Sequence, residues 1–258
     1  MKFQSMGFIG GGRITRIILK GLIGKITPPR IVVSDVDREV LKKIEDIHPH
    51  ITITHNDNSI PSSQQLIILA LHPPVLKQVL HEIQSYLKPD SLVLSLAPKI
   101  GIADMTIELS GFIRIIRMIP NACSIMNVGY NPVVFSDAIP RSEREAFTML
   151  FQNLGECPEV QEEHLEAYAI LTAMGPTYFW FQLHELQELG KSFGLPESAA
   201  KESLKKMLSG TLKTLYESNL SYEESLDLIP VKPLQDDEAT IKNLYRERLI
   251  SLYNKIKR

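Results

Sequence analysis

The stretch Gly7-Phe8-Ile9-Gly10-Gly11-Gly12-Arg13-Ile14-Thr15 puts four glycines within six residues, between an apolar run and an amphipathic one. The run from Lys2 to Ile9 reads as a strand and Arg13–Leu22 as a helix, so the glycines mark a strand-to-helix turn. The first N–H groups of a helix have no intrahelical partner, and together with the helix dipole they favour an anion. At such a turn Gly10 permits the tight bend and Gly12 lets backbone approach a phosphate, while the third position asks for a small residue. Thr15 stands at that third position and is larger than the usual Gly or Ala. Gly10, Gly11, Gly12, Arg13 and Ile14 are therefore candidates to hold the pyrophosphate of a dinucleotide. A tight turn with no ligand would leave the same local pattern.

The next apolar run ends Val32-Val33-Ser34-Asp35-Val36-Asp37-Arg38. An acid about 20–25 positions past the glycines commonly takes the ribose hydroxyls of NAD, and a nearby basic group accommodates the NADP phosphate. Asp35 and Asp37 argue for NAD, whereas Ser34 and Arg38 keep NADP open. A solvated turn with an Asp cap is the plainer alternative. The expected cofactor is NAD(P)H, with the choice of nucleotide unresolved.

Outward from this turn, short β-branched runs alternate with amphipathic stretches up to about residue 160. The expected strands are Lys2–Ile9, Ile31–Ser34, Leu66–Ala70, Leu92–Leu96, Ile113–Met118 and Val133–Ser136, with helices at Arg13–Leu22, Arg38–Ile47, Val75–Tyr86 and Arg141–Asn153. Continuous apolar strands suit a parallel sheet covered on both faces. After Glu162 only helix periodicity remains. Glu163–Leu189 reads as a buried helix with Gly175-Pro176 at its middle, where proline removes a donor and kinks the chain. Pro196 opens a further helix, Ser221 and Glu224 form a capping box, and a last helix runs near Asp237–Lys257. The expected fold is α/β: an N-terminal doubly wound Rossmann-type parallel sheet (1–160, dinucleotide-binding), followed by an all-α C-terminal domain (161–258).

Composition narrows the class further. The 258 residues carry 28 Lys+Arg against 30 Asp+Glu, a net charge of −2 that attracts neither nucleic acid nor an anionic membrane. No apolar run approaches the roughly 18 residues of a membrane span, and Gln4, Ser5 and the glycines stand where a signal peptide needs its apolar stretch. Cys123 and Cys157 are too few for a disulfide scaffold. The expectation is a soluble, cytoplasmic protein with no metal site, nucleic-acid partner or membrane partner.

Further along, the order of short motifs resembles the pyrroline-5-carboxylate reductase family over nearly the whole chain. Gly7–Thr15 matches the family pattern GxIGxGxMxxA, and Ala70-Leu71-His72-Pro73-Pro74 stands where the family has AVKPQ. Ser95-Leu96-Ala97 matches the start of SIAAG, and Arg117-Met118-Ile119-Pro120-Asn121 matches R-x-M-P-N. Leu171–Tyr178 matches LSGSGPAY, keeping Gly175, Pro176 and Tyr178 after the leucine, and Gly194-Leu195-Pro196 matches GLP.

The resemblance implies hydride transfer from a nicotinamide to the carbon of a cyclic C=N bond, giving proline, and a homodimer formed through the C-terminal helical domain. The aromatic run Phe179–Phe181, more apolar than a small helical domain easily buries alone, points the same way. Ala70, Leu71, Pro73 and Ala97, at strand ends, are expected near the cofactor or in packing. His72 either contacts the nucleotide or caps the strand end. Asn121 either orients nicotinamide or substrate or forms an Asn turn. Thr172 keeps the hydroxyl of the family's first serine, which makes Thr172 and Asn121 the catalytic candidates. Met174, Gly175 and Pro176, with Asn121, are the substrate-side candidates; Met174 replaces the second serine. Where the family carries TSPGGTT, this chain reads Ile229–Thr240 with no paired glycines and three acids, Asp236, Asp237 and Glu238. That asymmetry favours a related imine or carbonyl substrate, or a nucleotide-binding relative without reductase activity. A β-hydroxyacid-type dehydrogenase would need a helix-borne lysine; Lys191 and Lys201 lie in the right region without a matching motif.

Overall fold

The computed structural model describes residues 3–27, 29–47 and 49–257. Lys2, the first residue of the expected opening strand, lies outside the described residues, as do Met1, Pro28, His48 and Arg258. The chain divides into two compact units, one of Met1–Met174 with Leu252–Arg258 and one of Gly175–Ser251.

In the first unit, β1 (Ser5–Ile9), α1 (Arg13–Leu22), β2 (Arg30–Asp35), α2 (Arg38–Glu45), β3 (Thr52–His55), α3 (Ser59–Ser62), β4 (Leu66–Leu69), α4 (Pro73–Ile83), β5 (Leu92–Ser95), α5 (Ile102–Glu108) and β6 (Ile115–Met118) follow in turn. After them come β7 (Gly129–Tyr130), β8 (Val133–Phe135), α6 (Arg141–Phe151), β9 (Gly155–Glu156) and the short α7 (Leu165–Tyr168). The main sheet has the order β3-β2-β1-β4-β5-β6-β8. Its pairs are parallel except β6 with β8. This is a doubly wound Rossmann-type sheet whose strand order reverses between β1 and β4, and ligands of such sheets bind in the crevice at that reversal.

The apolar runs split strictly by period two. Leu66 and Ile68 of β4 enter one core cluster with Met6, Phe8, Leu92, Leu94 and Ile116, while Ile67 and Leu69 enter a second with Ile9, Val93 and Ile115. Both faces are therefore covered, which is why these strands read as unbroken apolar runs. Three elements are weak in the sequence. The edge strand β3 is half exposed with the pattern Thr-Ile-Thr-His, and α3 and α5 are a single turn and about two turns of helix. Ile113, expected at the start of β6, lies before the strand and is exposed.

Beyond β9 no strand occurs among the described residues. The texture change near residue 160 marks the end of the strands, and the first unit continues through Met174. The expected single helix Glu163–Leu189 is instead interrupted: α7 runs into a π-helical turn, Ala169–Ala173, and α8 (Pro176–Ser192) begins with Pro176. Nor is its aromatic run buried, since Phe181 is 68% exposed and Phe179 and Trp180 are each more than half exposed. The second unit holds α8, α9 (Glu197–Glu217), α10 (Tyr222–Asp227) and most of α11 (Glu238–Ile256). Pro196 sits one position ahead of the first turn of α9, as its N-cap. The Ser221–Glu224 capping box forms, with Glu224 N–H donating to Ser221 Oγ and Ser221 N–H to Glu224 Oε2. No helix among the described residues is long and apolar enough to cross a membrane.

Candidate active site in the first unit

The glycine loop is held open by its own bonds. Gly10 has φ +98°, a left-handed conformation few side chains tolerate. Its N–H donates to the Ser34 carbonyl at 2.8 Å, and a Cβ there would lie 2.5 Å from the Ala70 carbonyl. Gly11 N–H donates to Asp35 Oδ2 at 2.7 Å, tying the loop to the end of β2. Thr15, too large for the usual third position, is fully buried, and its hydroxyl donates back to the Gly10 carbonyl at 2.5 Å. The departure from Gly or Ala thus adds a bond that braces the loop from below.

Gly12 differs from its neighbours. It is the N-cap of α1, and a Cβ built there meets nothing within 4 Å. No side chain caps α1 and no acid stands in its first turn. The N–H groups at the start of α1 therefore have no side-chain acceptor and open space beside Gly12, with Arg13 adding a positive charge next to them. A pyrophosphate fits that cradle. The N-terminus of α4 is a poorer anion site, because Pro73 and Pro74 remove its first two donors.

Between these helix starts lies a crevice of about 370 Å³ in the first unit. Gly12, Arg13 and Ile14 form one wall and Ala70, Leu71, His72 and Pro73 another. Leu96, Pro98, Ile119 and Pro120 contribute strand ends, and Ala169, Ala173 and Met174 come from the π-turn. Most of this lining is apolar, so the site can exclude water from a reactive ring.

Each sequence candidate now has a place. Gly12, Arg13, Ile14, Ala70, Leu71, His72, Pro73 and Met174 share the crevice. Gly10 and Gly11 lie beneath it as buried backbone. Ala97 is buried in the second core cluster, and its neighbours Leu96 and Pro98 face the crevice instead, as alternation at a strand end requires. Ser34 is 1% exposed inside the sheet, so its hydroxyl is not offered to a ligand. Asn121 is 6% exposed; its Oδ1 accepts from Cys123 N–H at 2.7 Å and its Nδ2 donates to the Thr172 carbonyl. The Asn turn is thus formed, and the amide holds the π-turn against the end of β6. The Thr172 hydroxyl donates to the Tyr168 carbonyl at 2.8 Å. Gly175 and Pro176 begin the second unit, as N-cap and first residue of α8. Lys191 and Lys201 pair within their own helices with Glu188 and Glu197. Burial pushes the Cys157 thiol up to about 12, leaving it inert.

One functional cluster is not evident from motif spacing. Arg117, fully buried on β6, donates from Nη2 to Glu166 Oε1 at 2.5 Å and from Nη1 to Glu162 Oε1 at 3.0 Å. The same carboxylate oxygens accept the Lys99 and Ile102 N–H groups at 3.0 and 2.8 Å. This network fastens the helical turns 162–168 to the end of the sheet and so fixes the π-turn that closes the crevice. The signal available was a lone charge in an apolar strand, which needs a buried counter-ion, followed by acids at 162 and 166, one helical turn apart.

A family model described as NADP oxidoreductase coenzyme F420-dependent matches residues 5–99. Pyrroline-5-carboxylate reductase 3 of Xenopus laevis is 28% identical over 217 residues, covering 83% of this chain and 78% of its own. The pyrroline-5-carboxylate reductase of Coxiella burnetii superposes with a TM-score of 0.70 at 25% identity over 99% of this chain and 95% of that one. The chain is thus similar to pyrroline-5-carboxylate reductases along most of its length. At the level of fold alone, the pyrroline carboxylate reductase of Plasmodium falciparum, solved with NADP bound, agrees at a TM-score of 0.78 and 15% identity, covering 99% and 96% of the two chains. Beside the motifs of the resemblance, the glycine loop is largely retained, with Thr15 its departure, whereas Thr172-Ala173-Met174-Gly175 stands where Ser-Gly-Ser-Gly would.

Proposed function

We propose that this chain is an NAD(P)H-dependent reductase that adds hydride to the C=N carbon of a small cyclic imino acid, pyrroline-5-carboxylate or a close relative. The observation that carries the reading is the open cradle over Gly12 at an uncapped helix start, continuous with an apolar crevice. The N–H groups at the start of α1 and the Arg13 charge hold the pyrophosphate, and Asp35 fixes the loop that presents them. A reduced nicotinamide, when bound, supplies the hydride; a proton must reach the imine nitrogen to balance the product amine. Ile14, Leu71, Ile119 and Pro120 exclude water, and the π-turn held by Asn121 and Arg117 sets the far wall.

Purified protein given NADH or NADPH and pyrroline-5-carboxylate should consume the reduced cofactor and form proline. Cofactor binding with no turnover on any cyclic imine would count against the reductase reading and favour a nucleotide-binding relative without the chemistry. The rewritten segment Ile229–Thr240, exposed and bearing three acids, is what makes that outcome informative.

We propose further that the second unit is completed by a second copy. Within Gly175–Ser251 only Gly175 and Ala200 are buried, while Phe193 is 79% exposed and Phe181, Tyr216, Leu228 and Val231 are all open. Helices without a core of their own are not stable alone, and an obligate symmetric interface supplies one. Sedimentation equilibrium should give a dimer or a multiple of it at micromolar concentration. A monodisperse monomer would contradict this.

A further inference from the structure

We infer that Asp35 makes the nucleotide site selective for NAD(H) over NADP(H); this rests on the cofactor reading above. Asp35 ends β2, and its carboxylate is held by two backbone donors. Gly11 N–H gives to Oδ2 at 2.7 Å and Asp37 N–H to Oδ1 at 2.9 Å. A carboxylate has about four acceptor sites, so roughly two remain, and they can accept only from donors. The hydroxyls of an unmodified ribose are donors. The phosphate of NADP is an acceptor with about two negative charges, and against a fixed carboxylate it finds repulsion and no hydrogen bond.

The rest of the turn reinforces this. Ser34, the hydroxyl that a phosphate would need, is buried in the sheet. Asp37 is a second exposed carboxylate, and it already caps α2 by accepting Glu39 N–H at 2.8 Å. The end of α2 that would otherwise draw an anion is therefore filled by the chain itself. Arg38 is the one cation between residues 35 and 39, set against Asp35, Asp37 and Glu39.

The test is isothermal titration of the intact protein with NADH and with NADPH, repeated for Asp35→Asn and Arg38→Ala. NADH should bind at least about tenfold tighter. Asp35→Asn should bring the ratio of the two affinities close to one, while Arg38→Ala leaves it favouring NADH. The ratio is the readout because Asp35 also braces the loop, so both affinities can fall together without touching the claim. Equal or tighter NADPH binding by the wild-type protein, or an unchanged ratio in Asp35→Asn, would overturn the inference while leaving the cofactor reading intact. Binding of neither nucleotide would overturn both. The wild-type comparison decides even where Asp35→Asn does not fold.

Discussion

Gly12→Val should weaken nucleotide binding at least about a hundredfold while leaving the fold and its melting temperature nearly unchanged. Both halves follow from one observation. A Cβ at Gly12 meets nothing within 4 Å, and its φ of −61° is one that any L-residue adopts, so the free protein accommodates the side chain. The space that it fills is the one that a pyrophosphate needs against the start of α1. Losing two charge-assisted hydrogen bonds at about 1.5–3 kcal/mol each is enough for that factor. Calorimetric titration against NADH and a thermal melt of the same sample read the two effects separately. Unchanged affinity would remove the glycine loop from the account. By contrast, a side chain at Gly10 would meet the Ala70 carbonyl and damage the fold itself, so Gly12 is the position that separates binding from stability.

Arg117→Met should cost about 3–5 kcal/mol, because it leaves Glu166, only 2% exposed, as a buried charge without its counter-ion. For a unit of this size that corresponds to a melting temperature lower by roughly 10 °C. The double variant Arg117→Met, Glu166→Leu should recover much of the loss, since exchanging a whole buried pair for apolar groups is often close to neutral. Urea denaturation of the single and double variants gives the comparison. If the single variant is as stable as wild type, the pair does not hold the turns 162–168 in place.

How much of this could be read from residues alone depended on how far apart the partners lie. The turn Gly7–Thr15 was legible because strand, glycines and helix are contiguous, and β4 and β5 were legible because burial on both faces leaves unbroken apolar runs. The edge strand β3 escaped because it is only four residues long and half of it faces solvent, which leaves no apolar run to mark it. The roles of Asn121 and Arg117 escaped because their partners, Thr172, Glu162 and Glu166, are 45 to 51 residues away and no local period links them. Ala97 and Leu96 illustrate a finer limit: a motif names a strand end, and only the local backbone decides which of two neighbours faces the crevice. The interrupted stretch 163–189 misled in another way. Its apolarity suggests a buried helix, yet no residue from Pro176 to Leu189 is buried, which is the argument for a second copy.

The site itself is tested most directly by a crystal structure of the protein grown with saturating NADH. Phosphate density should lie against the N–H groups of Gly12 to Ile14, since the Gly11 N–H is held by Asp35. The nicotinamide ring should sit in the crevice between Ala70–Pro73 and the π-turn Ala169–Ala173. Nucleotide bound anywhere else, or an empty crevice at full saturation, would contradict it.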